Sequence, residues 1–190
     1  TTDEDRGKIS KMIVDNVDRA DQMIQDLLDM SRIKAGEKVP LNMEDCDFVE
    51  LIRTVVDSFK SVHGNRFIFS HGPSVRGKCS VNNLRRVMEN LIGNALKYGS
   101  PEHPITVSVV DKTDGVECAV HNHGSPIAPE DLSNIFSLFK RSQSAVQSSQ
   151  KGWGIGLTVV RRLTDYMRGS VRAESAPGSG TTFTVVLPYT

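Results

Sequence analysis

Residues 83–122 read NLRRVMENLIGNALKYGSPEHPITVSVVDKTDGVECAVHN, and this stretch decides the fold class. Its first part predicts a helix from about Asn83 to Tyr98, capped by Ser80 or Asn82, with Leu91, Ile92, Ala95 and Leu96 turned largely into a core. The period then changes. ITVSVVDK and GVECAVHN alternate apolar and polar residues on either side of Thr113-Asp114-Gly115, the pattern of a β-hairpin. A helix followed by an antiparallel pair points to helices laid on one face of a sheet rather than to alternating βαβ units.

The flanks extend that reading. Upstream, Asp47 can cap a helix from about Phe48 to Lys60, with Glu50 as its capping-box partner, and RFIFSH and SVRGKC read as two short strands. Downstream, Glu130 to Phe136 reads as a short helix and Ile155 to Met167 as a longer one with Gly169 just beyond it. SVRAES and TTFTVVLP are strands joined by APGSG, whereas residues 140–151, KRSQSAVQSSQK, lack periodicity and read as a mobile loop. The expected class is α+β: a two-layer sandwich of a mixed, mainly antiparallel sheet with helices on one face, preceded by one long helix.

That first helix is expected from about Asp5 to Ile33. Ile9, Ile13, Val17, Ala20, Ile24 and Leu27 form a narrow apolar seam, which fits either a partner helix or packing on its own domain. Pro40 excludes a regular helix in the connector that follows. The expected organisation is therefore a helical segment over 1–35, a linker over 36–46 and one domain over 47–190.

Lysine plus arginine number 23, as do aspartate plus glutamate, so no net field draws the chain to nucleic acid or to an anionic membrane. No apolar run approaches the roughly 20 residues that span a bilayer, and the polar start TTDEDRGKIS lacks a signal-peptide pattern and reads as that of a fragment. The three cysteines, Cys46, Cys79 and Cys118, are far apart in sequence, which argues against a disulfide framework or zinc site and for buried thiols in a reducing cytosol.

Four separated segments carry the chemistry. In ENLIGNALKY, Asn90 and Asn94 share a helical face and Lys97 follows one turn on. Such a face can hold a hydrated divalent cation and phosphates, or can simply meet solvent. HNHGSPI ends a strand in a turn that sets Asn122 at the mouth of a pocket, or is only a tight turn. In KGWGIGL, Gly152, Gly154 and Gly156 let backbone approach a ligand just before a helix start whose amides can meet a phosphate; a flexible hinge is the other reading. PGSGTTF turns into the last strand, and taken alone it is a hairpin turn.

In this order the segments resemble the ATPase superfamily of histidine kinases, gyrase-type ATPases and the related chaperone and mismatch-repair ATPases, over about residues 45–188. ENLIGNALKY is similar to the N box, HNHGSPI to the first glycine box, IFSLFKR to the phenylalanine box, KGWGIGL to the second glycine box and PGSGTTF to the last. DLLDMSRIKAG resembles the end of the second stalk helix of a sensor histidine kinase. The resemblance implies ATP and magnesium as cofactors, with Asn94 as principal magnesium ligand and Asn90 beside it. Lys97 and Tyr98 would meet phosphate or ribose, Asn122 the adenine, and Thr182 the base pocket. Gly124, Ile127, Phe139, Gly152, Gly154, Ile155, Gly156 and Leu157 would complete the nucleotide site. Lys140 and Arg141 would reach the γ-phosphate from a lid over about 137–153.

The hydrolysing branches carry a glutamate where this chain has Asn90, and an amide cannot activate water. Most histidine kinases have aspartate where Asn122 stands, and a glycine where Pro126 stands. None of His63, His71, His103, His121 and His123 has the context of a phospho-accepting histidine. The resemblance thus implies the donor half of a two-component phosphorelay, with no autophosphorylation expected from this chain alone. Its partners would be the first stalk helix carrying the acceptor histidine and a response regulator receiver domain. The full-length protein would be a homodimer, cytoplasmic in this part whether soluble or membrane-anchored, with no nucleic-acid or membrane contact here. The alternative is a degenerate module that binds nucleotide without transfer.

Overall fold

The computed structural model describes residues 42–137 and 155–189, and within the N-terminal segment Gly7, Ile9, Ile13, Val17, Ile24 and Ser31. The chain divides into two compact units, Thr1–Val39 and Pro40–Thr190. In the first, the six described positions are helical, and Ile9, Ile13, Val17 and Ile24 of the apolar seam are all at least half exposed. Ala20 and Leu27 lie outside the described residues.

The second unit runs β1 (Glu44–Asp47), α1 (Phe48–His63), β2 (Phe67–His71), β3 (Arg76–Cys79), α2 (Val81–Tyr98), β4 (Ile105–Lys112), β5 (Gly115–Asn122), α3 (Pro129–Leu132), α4 (Gly156–Tyr166), β6 (Ser170–Ala176) and β7 (Gly180–Pro188). Five strands form one sheet in the order β2-β4-β5-β7-β6. Only β2 and β4 are parallel; the other pairs are antiparallel. The expected α+β class, with a mixed and mainly antiparallel sheet, is the fold observed.

Strand parity assigns the two faces of this sheet. Ile105, Val107 and Val109 of β4 are in register with Asn122, Val120 and Cys118 of β5, which in turn face Thr181, Phe183 and Val185 of β7. All nine are buried. They meet the apolar sides of the helices: Ile52, Val55 and Val56 of α1, Leu84, Val87, Met88, Leu91 and Ile92 of α2, and Val159, Val160 and Leu163 of α4. The intervening positions form the opposite face, where Ile68 and Val110 are exposed and Arg172 pairs with Glu117 at 3.1 Å. The core is thus a single layer between sheet and helices.

Local signals account for most boundaries. Asp47 caps α1 by accepting from the amides of Val49 at 3.0 Å and Glu50 at 3.2 Å. The Glu50 carboxylate instead sits 3.7 Å from Arg53. Two elements differ from expectation. Residues 44–47, EDCD, overlap the expected connector yet form β1, antiparallel to β3; the stretch lacks apolar alternation, so only its pairing partner defines it as a strand. α3 ends at Leu132, because the Ser133 hydroxyl donates to the Glu130 carbonyl at 3.1 Å and the chain passes into turns. Among the described residues, no helix is long and apolar enough to cross a membrane.

Candidate nucleotide-binding site

α2 builds one wall of the site. Its apolar side is fixed by burial of Leu91, Ile92 and Ala95, so Asn90, Asn94 and Lys97 come out together on another side, each partly exposed. The Asn90 amide nitrogen donates to the Arg86 carbonyl at 2.9 Å. That bond fixes the orientation of the side chain and leaves its oxygen, Oδ1, facing the first residue of α4. A Cβ added at Gly156 would lie 2.7 Å from that oxygen, so glycine there is what lets the helix start approach Asn90. Two segments 66 positions apart meet at this point. The Lys97 ammonium lies 4.9 Å from the centre of the Tyr98 ring, a cation–π distance that holds it beside the end of the helix.

The second wall is the turn after β5. Asn122 is only 6 % exposed, and its amide nitrogen donates to the His123 carbonyl at 3.3 Å, which leaves its carbonyl oxygen as an acceptor. The turn is stitched to the end of α2: Gly99 and Gly124 form an isolated antiparallel bridge, and the Ser100 amide donates to the His123 carbonyl at 2.6 Å. A Cβ at Gly124 would lie 2.6 Å from the Tyr98 carbonyl, and one at Gly99 would lie 2.3 Å from the Ala95 carbonyl. The close approach leaves no room for a side chain at Gly124, while at Gly99 the carbonyl of its own helix end excludes one.

The third wall comes from β6 and β7. Thr181 is opposite Asn122, buried on the helix-covered face, and its hydroxyl is 2.8 Å from that of Ser175. Ser175 also accepts from the Ile127 amide at 2.9 Å, which holds the segment after the turn. Thr182, expected in the base pocket, belongs to the other face. Its hydroxyl lies 2.9 Å from His121 Nδ1, on the side away from α2 and α4. The alternation of Thr181, Phe183, Val185 and Leu187 carries this parity, so the signal for Thr181 was present in the sequence. Ser175 had no such signal, because only strand pairing brings β6 beside it.

Ile155 is buried at the start of α4 and Leu157 is partly exposed there. Phe136 of IFSLFKR meets Phe183 edge to face, with ring centres 6.2 Å apart. Phe139, Lys140, Arg141, Gly152 and Gly154 lie outside the described residues. A cavity of about 550 Å³ adjoins the turn, walled in part by Tyr98, Ser100, His103, His123, Ser125 and Gly178. It shares Tyr98 and Gly124 with the expected site but includes none of Asn90, Asn94 and Asn122.

The histidines gather beside this turn. The His123 ring is 4.6 Å from that of His103 and 5.0 Å from that of His121. Burial, and then the charge of His123, hold the His121 imidazole below its ordinary range. Among the described residues, no three His, Cys, Asp or Glu side chains are grouped to hold a metal. A hard divalent cation is different, because it prefers oxygen and keeps several waters. The oriented Asn90 oxygen and the Asn94 amide one turn away fit such an ion when phosphate oxygens complete its shell.

Residues 79–190 match the family described as histidine kinase-, DNA gyrase B-, and HSP90-like ATPase. The chain is 29 % identical over 186 residues to the sensor-like histidine kinase SenX3 of Mycobacterium tuberculosis, covering 95 % of this chain and 45 % of that protein. It thus spans less than half the length of that relative. Among solved structures, the Acinetobacter baumannii histidine kinase AdeS superposes with a TM-score of 0.72 at 21 % identity, over 94 % of this chain and 82 % of that one. The histidine kinase ThkA, solved in complex with the response regulator protein TrrA, gives a TM-score of 0.74 at 24 % identity, over 94 % of this chain and 50 % of that one.

Proposed function

The chain belongs to the histidine kinase-, DNA gyrase B- and HSP90-like ATPase family and carries an ATP-binding catalytic domain of the sensor histidine kinase type, and from that premise we propose that it donates the γ-phosphate of ATP to a histidine outside this sequence. In this reading 1–35 is the second stalk helix, and the catalytic domain takes in Glu44 onward, because β1 pairs with β3; the linker is the stretch between them.

The observation that carries the reading is the amide face of α2 opposed to Gly156. Asn90 and Asn94 would hold magnesium, which on binding neutralises phosphate charge. The chain's own groups do the positioning. Asn122 accepts from the adenine amino group through its free carbonyl oxygen, Thr181 supports the base from β7, and Lys97 directs positive charge at the phosphates. Phosphoryl transfer needs mainly such alignment and charge balance. Asn90 also supports transfer over hydrolysis, since a neutral amide cannot take a proton from water. Glu89 is adjacent in sequence, but it projects about 100° around the helix from Asn90 and so leaves the amide face. Lys140 and Arg141 complete the proposal as cations that would meet the γ-phosphate.

The acceptor would be a histidine on the first stalk helix, and a response regulator receiver domain would take the phosphate next, within a homodimeric full-length protein. The test combines this chain, radiolabelled ATP, magnesium and the separately produced first stalk helix of the same protein. Acid-labile phosphate on that helix's histidine is the expected result. Tight nucleotide binding with no transfer to the cognate helix would overturn the kinase reading in favour of a binding module.

A further inference from the structure

Cys46 and Cys79 are 33 positions apart in the chain, yet they face each other across the β1–β3 pair. The register sets Glu44 opposite Cys79 and Cys46 opposite Gly77. Positions 46 and 79 therefore share one side of the ribbon as diagonal neighbours. Their Sγ atoms are 2.6 Å apart, and both are free thiols. A disulfide requires about 2.05 Å between sulfurs, so the bond needs under an ångström of further approach and no break in strand pairing. Cys79 is 2 % exposed, whereas Cys46 is open enough to meet a small oxidant.

The two thiols are unequal. The contact with Cys79 lowers the Cys46 thiol despite opposition from burial and from Asp47, Glu44 and Asp45. The same contact raises the Cys79 thiol. Cys46, the more exposed of the two, is the thiol that a small oxidant meets first, with Cys79 beside it to resolve the product, an arrangement suited to stepwise oxidation. Cys118, buried in the main sheet, is pushed up to about 12 by burial and provides an inert reference.

We propose that Cys46 and Cys79 form a redox-responsive dithiol, which a hydroperoxide converts reversibly to an intramolecular disulfide. The Cys46 thiolate attacks one peroxide oxygen, the O–O bond breaks, and water leaves with the proton lost from the thiol. The Cys46 sulfenic acid is then attacked by the Cys79 sulfur. The S–O bond breaks, and its hydroxide leaves as a second water with the Cys79 proton. Two thiols and one hydrogen peroxide give one disulfide and two waters; the sulfurs lose two electrons and the peroxide gains them. The bond would join the residue before Asp47, the cap of α1, to the residue before Ser80, the cap of α2. Oxidation is thereby placed at the base of the helix that carries Asn90 and Asn94.

The full chain, treated with hydrogen peroxide in the folded state and then unfolded in guanidinium chloride and alkylated, so that buried thiols are counted too, tests this. Titratable thiols should fall from three to one, and peptide mapping should recover the Cys46 and Cys79 peptides joined, two hydrogens lighter than their sum. The product should stay monomeric in covalent terms, unfold at a higher temperature than the reduced chain, and revert with dithiothreitol. C118S should lose both remaining thiols, while C46S and C79S should form no internal link. A covalent dimer through either cysteine, Cys46 carried only to sulfinic acid, or three surviving thiols in a chain that circular dichroism shows to be folded would each overturn the proposal.

Discussion

Thr181 and Thr182 are the same residue type one position apart, with opposite surroundings. Thr181 stands opposite Asn122 on the covered face and Thr182 meets His121 on the bare one. Removing one hydrogen bond costs about 1 kcal/mol, roughly fivefold in affinity. T181V is accordingly expected to weaken ATP binding by about that factor in calorimetric titration, and T182V to leave it unchanged; the reverse result would put the base on the other face. Gly156 gives a sharper case. G156A would crowd Asn90 Oδ1 at 2.7 Å and force the side chain aside, while alanine suits a helix start at least as well as glycine. Unchanged or slightly higher thermal stability with about a tenfold loss of magnesium-dependent ATP affinity is expected. The face of Asn90, Asn94 and Lys97 was legible because helical spacing alone fixes it. Choosing between Thr181 and Thr182 for the covered face needs strand parity, which the inward Phe183 and Val185 supply. The Cys46–Cys79 contact was not legible at all, since sequence distance says nothing about which strands pair.

At the scale of elements, α1 offers a direct check on how local signals become stability. Asp47 accepts from two amides of the first turn and from the Ser74 hydroxyl. The Ser74 bond, then the amides of Glu50 and Val49, hold its carboxyl below the usual range against some burial. Replacing such a cap by alanine costs about 1 kcal/mol, so D47A should lower the midpoint of denaturant unfolding at pH 7 with little change in slope. A carboxyl whose folded pKa is depressed binds its proton more readily when unfolded. Its contribution is therefore complete above the unfolded value, about 3.9, and is lost as pH falls through the lower folded value. The gap between the native chain and D47A should narrow correspondingly below about pH 4. The helix was readable here because aspartate before an apolar run is a strong start signal. β4 and β5 were readable to the residue, since alternation and a Thr-Asp-Gly turn act together. β1 was not, because EDCD has no inward apolar side and is a strand only through β3.

For the whole molecule, the proposed site predicts that ligand binding and folding are coupled through the same groups. The proposed site draws on α2, the turn after β5, β6, β7 and the start of α4, so it exists only in the folded chain. Nucleotide at about 100 times its Kd should then stabilise the domain by about 2.7 kcal/mol, raising Tm by about 5–10 °C. N94A should abolish that rise while melting near the native temperature without ligand, as scanning fluorimetry with and without magnesium would register. The overall class was legible because helix and hairpin patterns alternate in the order an α+β sandwich requires; the arrangement of strands was not, because no pattern in TTFTVVLP says which strands it will lie between. That arrangement has a consequence for synthesis. β7, the last strand of the sheet, lies in its interior, between β5 and β6. A chain emerging from the ribosome has α2, β5 and α4 available well before it has Thr181, and until β7 inserts, β5 and β6 both present unpaired edges. The proposed nucleotide site is incomplete during that interval. Loss of β7, Gly180–Pro188, would accordingly remove nine residues yet leave an aggregation-prone half-sheet rather than a weakened enzyme.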